Sequence, residues 1–282
     1  MTMALPRSDA NRLAAAARAG GSSFYFAMRI LGREQRDAMF EIYSFCRQVD
    51  DIADSDAPRE WRLARLDQWR ETVETLFAGS APGELQGLAR AVERFSLAKA
   101  DFLAILDGMT MDAVEDIRAP DLERLDLYCD RVASAVGRLS VRVFGMEERN
   151  GLALAHHLGR ALQLTNILRD LDDDAVIGRL YLPREALVSV GIEATDPHVV
   201  LSHPALGLAC AHVVDRARGH FVRAENIMRL CPRRTVRAPR IMAAAYRQML
   251  EAMVARGWRA PRRRVRINRP RLLWIALRHA LA

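Results

Sequence analysis

Apolar residues recur at spacings of three and four along almost the whole chain, and alternating runs of the β type are few. The clearest case is 122–143, where Leu122, Leu125, Cys129, Val132, Val136, Leu139 and Val143 trace one helical face. Asp121 after Pro120 predicts an N-cap, and Gly145 predicts the stop. Further breaks are predicted near Gly32, Asp56–Pro58, Gly79–Gly83, Ala119–Pro120, Gly178–Pro183, Thr195–Pro197, Cys231–Pro239 and Gly257–Pro261. One long helix thus starts near Arg33 and another near Glu147. None of the breaks reads as an interdomain linker, and there is no short repeat. The pattern predicts one all-α, bundle-like domain spanning 1–282, of roughly ten helices by the break count, ending in a basic tail at about 257–282.

Composition agrees with an all-helical chain: 282 residues, 50% hydrophobic, only 6% aromatic, with 16 Gly and 11 Pro. The four cysteines, Cys46, Cys129, Cys210 and Cys231, have neither zinc-ligand spacing nor a disulfide framework, and Cys46 and Cys129 fall on apolar faces as small buried thiols. No secretory leader is read in 1–21, and no stretch has the length of apolar residues needed to span a bilayer, so a cytoplasmic location is expected. The net charge of +7 is local in origin. Arg256, Arg259, Arg262, Arg263, Arg264, Arg266, Arg269 and Arg271 follow one another without an acid, ahead of the apolar 272–277. This tail fits either a solvated arginine face or peripheral contact with an anionic membrane surface. No nucleic-acid motif accompanies it.

Candidate chemistry comes from two acidic clusters with the same internal spacing, 50–54 and 170–174. In each, two carboxylates stand four positions apart (Asp50 and Asp54, Asp170 and Asp174), which on a helix stacks them on one face. Like charges so placed cost about 0.2–0.5 kcal/mol per pair. Both clusters are expected at the C-terminal ends of their helices, where the macrodipole adds to the penalty. Breaking local rules twice points to a site, and hard oxygen ligands in pairs suit magnesium with a diphosphate. Tyr43 and Arg47 continue the first stripe. Arg47 suits a diphosphate oxygen, and equally an intrahelical pair with Asp50 or Asp51. Asn166 continues the second stripe, with Gln163 one turn earlier and Arg169 at its flank. Asp172 and Asp173 read as solvated or as indirect metal contacts. The seven histidines have no i,i+4 zinc pair, so core or surface roles are expected for all of them. There is no Gly-x-Ser-x-Gly elbow, Walker loop or dinucleotide fingerprint.

The stretches Ser22–Tyr25, Tyr43–Asp54, Tyr128–Ala133, Gln163–Asp170, Gly178–Pro183 and Tyr246–Leu250 resemble the squalene/phytoene synthase family of head-to-head prenyl transferases, over about 20–266. The resemblance implies an all-α isoprenoid-synthase bundle around a central cavity. It implies that Asp50, Asp54, Asn166, Asp170 and Asp174 hold Mg2+, or Mn2+, against two prenyl diphosphates. It implies substrate contacts from Ser22, Ser23, Phe24, Tyr43, Arg47, Gln163, Arg169, Tyr246 and Arg264, and a role for Tyr128 in the proton-transfer or cation step. Within the family, 132–140 resembles bacterial presqualene diphosphate synthases of hopanoid pathways, with Ser134 where phytoene synthases usually have Gly. The implied reaction joins two farnesyl diphosphates to presqualene diphosphate, a half-reaction for which NADPH is not expected. Phytoene synthase, hydroxysqualene synthase, full squalene synthase and a non-catalytic assembly protein with the same fold are the alternatives.

Overall fold

A computed structural model describes residues 27–114 and 117–267. Ser22, Ser23, Phe24, Arg269, Arg271 and the apolar 272–277 lie outside the described residues. Within them the chain is helical, with a single isolated β-bridge between Arg118 and Leu180. Twelve α-helices follow in order: α1 Arg33–Ala53, α2 Arg59–Phe77, α3 Gln86–Phe95, α4 Lys99–Val114, α5 Leu122–Cys129, α6 Ala135–Val143, α7 Glu148–Arg169, α8 Leu171–Val176, α9 Arg184–Val188, α10 Pro197–Ser202, α11 Leu206–Leu230 and α12 Arg233–Arg256.

The apolar stripes form two large cores that meet along α4, α6 and the turn after α5, and a small third one around Ala238, Ile241 and Ala245. One gathers α1 to α4 and α6 around Phe45, Phe102, Leu106 and Leu139. There Phe45 meets Phe102 and Trp69 edge to face, with ring centroids 5.2 and 5.5 Å apart, the favoured aromatic arrangement. The other gathers α5 and α7 to α12 around Leu154, Val213, Phe221 and Leu250. Val132 packs against both. The first acidic cluster ends α1, in one core, and the second begins at the end of α7, in the other.

Three local expectations are corrected. The continuous helix over 122–143 is interrupted by a π-helical turn, Asp130–Ser134. Its neighbours explain the bulge: a Cβ on Gly159 would stand 2.8 Å from the Ser134 backbone, and one on Gly108 would stand 2.6 Å from the Val132 side chain. The wide turn is thus wedged between two helices that approach it at glycines. The expected N-cap and stop are present: Asp121 accepts from the Arg124 N–H at 2.7 Å, and Gly145 has φ +69. The break expected across Cys231–Pro239 is confined to Cys231–Pro232, and Pro239 lies inside α12 at the loss of one backbone hydrogen bond. Finally, the helix from Glu147 does not run through the second cluster. It ends at Arg169, Asp170 takes φ −100 and ψ 10, and α8 begins. Asp172, Asp173 and Asp174 therefore occupy a first helical turn, where the macrodipole favours anions rather than opposing them.

Candidate active site

Burial along α1 follows its sequence stripe. Ala38, Met39, Ile42, Phe45, Val49 and Ala53 point into the core, which leaves Tyr43, Arg47, Asp50 and Asp54 on the adjoining partly exposed face. Arg47 spans Asp50 and Asp51 at 2.7 and 2.6 Å, so the intrahelical pair is formed. On the facing side, the kink at Asp170 keeps the backbone bonds Asp170 N–H to Asn166 O (2.9 Å) and Asp174 N–H to Asp170 O (2.8 Å). Asn166, Asp170 and Asp174 thus remain in succession despite the change of helix. Arg169 grips the Asp170 carboxylate with two bonds, at 2.8 and 2.5 Å.

The two clusters lie near one another, joined through Arg179, and each perturbs the other's carboxyls. Burial pushes the Asp174 carboxyl from its ordinary 3.8 up to about 7, and the negative charges of Asp170, Asp112 and, from the opposite cluster, Asp54 add to this. Burial likewise lifts Asp50 to about 6, with Asp54 and Asp51 adding and Arg47 and Arg179 opposing. Arg179 links the two: its backbone N–H donates to Asp174 O at 2.9 Å, while its side chain reaches the first cluster. It donates to Asp54 at 2.7 Å and to the backbone oxygens of Asp112 (3.0 Å) and Ala53 (3.4 Å). The second cluster is also held by the segment after α12. Arg262 makes bonds of 2.6 and 2.9 Å to Asp172, and Arg264 pairs with Asp170 at 2.7 Å and with Asp173. Asp172 and Asp173 are therefore partners of the basic segment, and two of its arginines are committed to the site.

Carboxylates crowded in this way favour a cation. Asn166 adds a sharper observation: its side-chain Oδ1 is buried without a hydrogen-bond partner, while its amide nitrogen reaches Gln163 at 3.4 Å. A buried amide oxygen left unsatisfied costs about 1–3 kcal/mol unless something accepts its lone pairs. Asn166, Gln163 and Tyr246 also line one cavity of about 200 Å³, whose other walls are almost entirely apolar, among them Met28, Met39, Val136, Phe144 and Leu158. A dry pocket therefore reaches the residues from which the second acidic cluster begins.

Tyr128 does not line this cavity. It is buried with its ring stacked on Tyr181, centroids 4.9 Å apart, and both hydroxyls donate to Asp112, at 3.0 and 2.7 Å. Burial and the nearby Asp112 charge raise both phenols well above their ordinary value. Asp112 itself is buried and lifted to about 6 by desolvation, against the pull of Arg179 and the two phenols. The backbone bridge at Arg118 and Leu180 places Tyr181 there: Ala119 N–H donates to Leu180 O at 2.9 Å and Leu180 N–H to Ile117 O at 2.7 Å. Sequence reasoning gave no role to Asp112, Arg179, Tyr181 or Arg262. A lone acid between Met111 and Ala113 was the available signal for Asp112. Arg179 and Tyr181 stood within a matched stretch.

Comparison with known proteins agrees with this arrangement. The family model for squalene/phytoene synthase matches residues 17–271. The chain belongs to the squalene/phytoene synthase family. A presqualene diphosphate synthase of Rhodopseudomonas palustris is 58% identical over 261 residues, covering 93% of this chain and 94% of that protein. A phytoene synthase of Mycobacterium tuberculosis is 33% identical, covering 83% of this chain and 78% of that one. A crystal structure of a dehydrosqualene synthase in complex with ligand superposes with a TM-score of 0.83 at 23% identity, covering 97% and 96% of the two chains, and shows the shared all-α fold. Among the described residues, no helix is long and apolar enough to cross a membrane.

Proposed function

We propose that this family member condenses two farnesyl diphosphates head to head, giving presqualene diphosphate and inorganic diphosphate. The observation that carries the reading is that Arg179 joins Asp54 to the turn that holds Asp174, while Asn166, one turn before Asp170, lines an apolar cavity with an unsatisfied oxygen. The greater identity to a presqualene diphosphate synthase than to a phytoene synthase supports the shorter substrate. The residues that fit Mg2+, or Mn2+, are Asp50, Asp54, Asp170, Asp174 and Asn166, a hard all-oxygen set. When bound, the metal supplies Lewis-acid neutralisation of the leaving diphosphate.

The chain's own groups account for the rest. Arg47, Arg169 and Arg264, now held on Asp50, Asp51, Asp170 and Asp173, turn to the diphosphates, which match their planar forks. Tyr43, Gln163 and Tyr246 contact the diphosphates or the first prenyl carbons, a role the resemblance extends to Ser22, Ser23 and Phe24 outside the described residues. The donor's allylic C–O bond breaks, its electron pair leaving with diphosphate. The acceptor's double bond attacks the resulting cation, and a proton is lost as the cyclopropane closes. The apolar cavity keeps water from the cation. The released diphosphate takes the proton. Tyr128 is held as a phenol by burial and spends its hydroxyl on Asp112, so it acts as a positioning residue, holding Asp112 and through it Arg179. NADPH has no part in this half-reaction. The exposed Arg259, Arg263 and Arg266 give the same chain a basic face for peripheral contact with an anionic inner membrane surface. Replacing Asp54 with Ala tests the metal reading: turnover is expected to be nearly abolished with the helical circular dichroism intact. Near-normal turnover would remove it.

A further inference from the structure

Three histidines that sequence spacing leaves unrelated meet at the surface between α7 and α11, the helix pair that packs together most extensively. His156 and His157 sit on α7, and His220 on α11, 63 positions from His157. The Nδ1 atoms of His157 and His220 stand 3.0 Å apart. One ring nitrogen from each of the three lies within 4.8 Å of the others. Two nitrogens each bonded at 2.0–2.1 Å to a tetrahedral cation are separated by about 3.3 Å, so the first pair is already at ligand spacing. His156, exposed and edge-on to His157 with centroids 4.7 Å apart, closes the set with a small side-chain rotation.

We infer that His156, His157 and His220 form a surface site for a borderline divalent cation such as Zn2+, Co2+ or Ni2+, bridging α7 to α11. Imidazole is the ligand type these cations prefer, and one that magnesium and calcium avoid, so the site is chemically separate from the all-oxygen acidic cluster. A fourth position faces solvent beside the exposed His156. Burial lowers all three rings, His220 to about 4, with neighbouring arginines adding, which favours the neutral imidazole; in the 3.0 Å pair one Nδ1 carries the shared hydrogen, and a tautomer shift to Nε2 frees it to ligate. The charged groups named around the triad leave a formal excess of one positive charge. Arg160, Arg138 and Arg223 face it on one side of the balance, and Asp126 and Asp130 on the other. Arg160 is itself neutralised by two bonds to Asp126, at 2.8 and 2.7 Å, and one to Asp130 at 3.1 Å. A cation here would tie the helix that carries Asn166 and Asp170 to its largest packing partner. Metal binding would therefore register as stability rather than as chemistry.

The test is titration of the full-length, metal-stripped protein with Zn2+ and with Co2+, in excess Mg2+ to fill the acidic cluster. One equivalent is expected to bind, raising the melting temperature by several degrees, and Co2+ should give a tetrahedral visible spectrum without a thiolate charge-transfer band. His220→Gln and His156→Gln should each weaken binding at least tenfold while leaving turnover unchanged. His156 is exposed, so its variant folds whatever happens to the other. Equal Zn2+ affinity in wild type and His156→Gln would overturn the site, as would a thiolate band or no binding at all.

Discussion

Asp174 carries the largest electrostatic penalty in the acidic site, and its removal makes a quantitative prediction. Burial and three neighbouring carboxylates lift it from 3.8 to about 7. At about 1.36 kcal/mol per pKa unit, the full shift corresponds to roughly 4 kcal/mol of folding energy lost at neutral pH. The pull of Arg179 is already within that shift, and solvent screening of a partly exposed group reduces the expected net to about 1–2 kcal/mol. Asp174→Asn keeps the shape and removes the charge. In the presence of a chelator it should therefore be more stable than wild type, by about 2–8 °C for a chain of this size. The sign is fixed by linkage. A carboxyl raised in the folded state binds its proton more tightly there, so stability falls as pH rises from 3.8 to 7 and is lowest above 7. The advantage of the Asn variant should be full at pH 8 and smaller at pH 5. Differential scanning fluorimetry at the two pH values measures it. The same variant should lose turnover, because the proposed function gives Asp174 to the cation. A melting temperature equal to or below wild type at pH 8, or a pH-independent gain, would refute the reasoning.

Other outcomes follow from single contacts. Arg160 is buried and bonded to Asp126, Asp130 and Ser134, but both carboxylates are partly exposed, so Arg160→Met should cost about 2–3 kcal/mol in urea unfolding; a cost below about 1 kcal/mol would mean that water replaces the network. Gly159→Ala places a methyl 2.8 Å from the Ser134 backbone and should lose about 1–3 kcal/mol, against no loss if the π turn relaxes freely. Tyr181→Phe removes the 2.7 Å bond that holds Asp112 down, so an acidic limb of the pH–rate profile near 6 should move upward; an unmoved limb would detach Asp112 from turnover. Binding to anionic vesicles should appear at low salt and fade as salt rises, and no sedimentation at low salt would remove the membrane contact.

The helical class and most boundaries were legible because apolar spacing and the Gly and Pro breaks are local signals. The spacing 50/54 and 170/174 drew attention to both clusters because it too is a local signal, although the second lies across the α7–α8 kink and its macrodipole penalty is reversed. What faces what was not legible. The π turn at Asp130–Ser134 depends on glycines in two other helices, so the stripe over 122–143 reads straight through it. The kink at Asp170 leaves the apolar pattern unbroken. Arg262 and Arg264 read as a charge run until the fold lays them on Asp172, Asp173 and Asp170. The histidine triad joins helices 63 positions apart, beyond any spacing rule. Asp112 showed only as one acid in an apolar segment, and its partners Tyr128 and Tyr181 come from separate elements.

The central claim is the reaction, and mass spectrometry of its products tests it most directly. Purified protein is given farnesyl diphosphate and Mg2+, with and without NADPH. Presqualene diphosphate in both samples is the predicted result. Squalene formed only with NADPH would extend the activity to a complete squalene synthase and contradict the half-reaction. No product from farnesyl diphosphate, with phytoene from geranylgeranyl diphosphate, would contradict the substrate assignment outright.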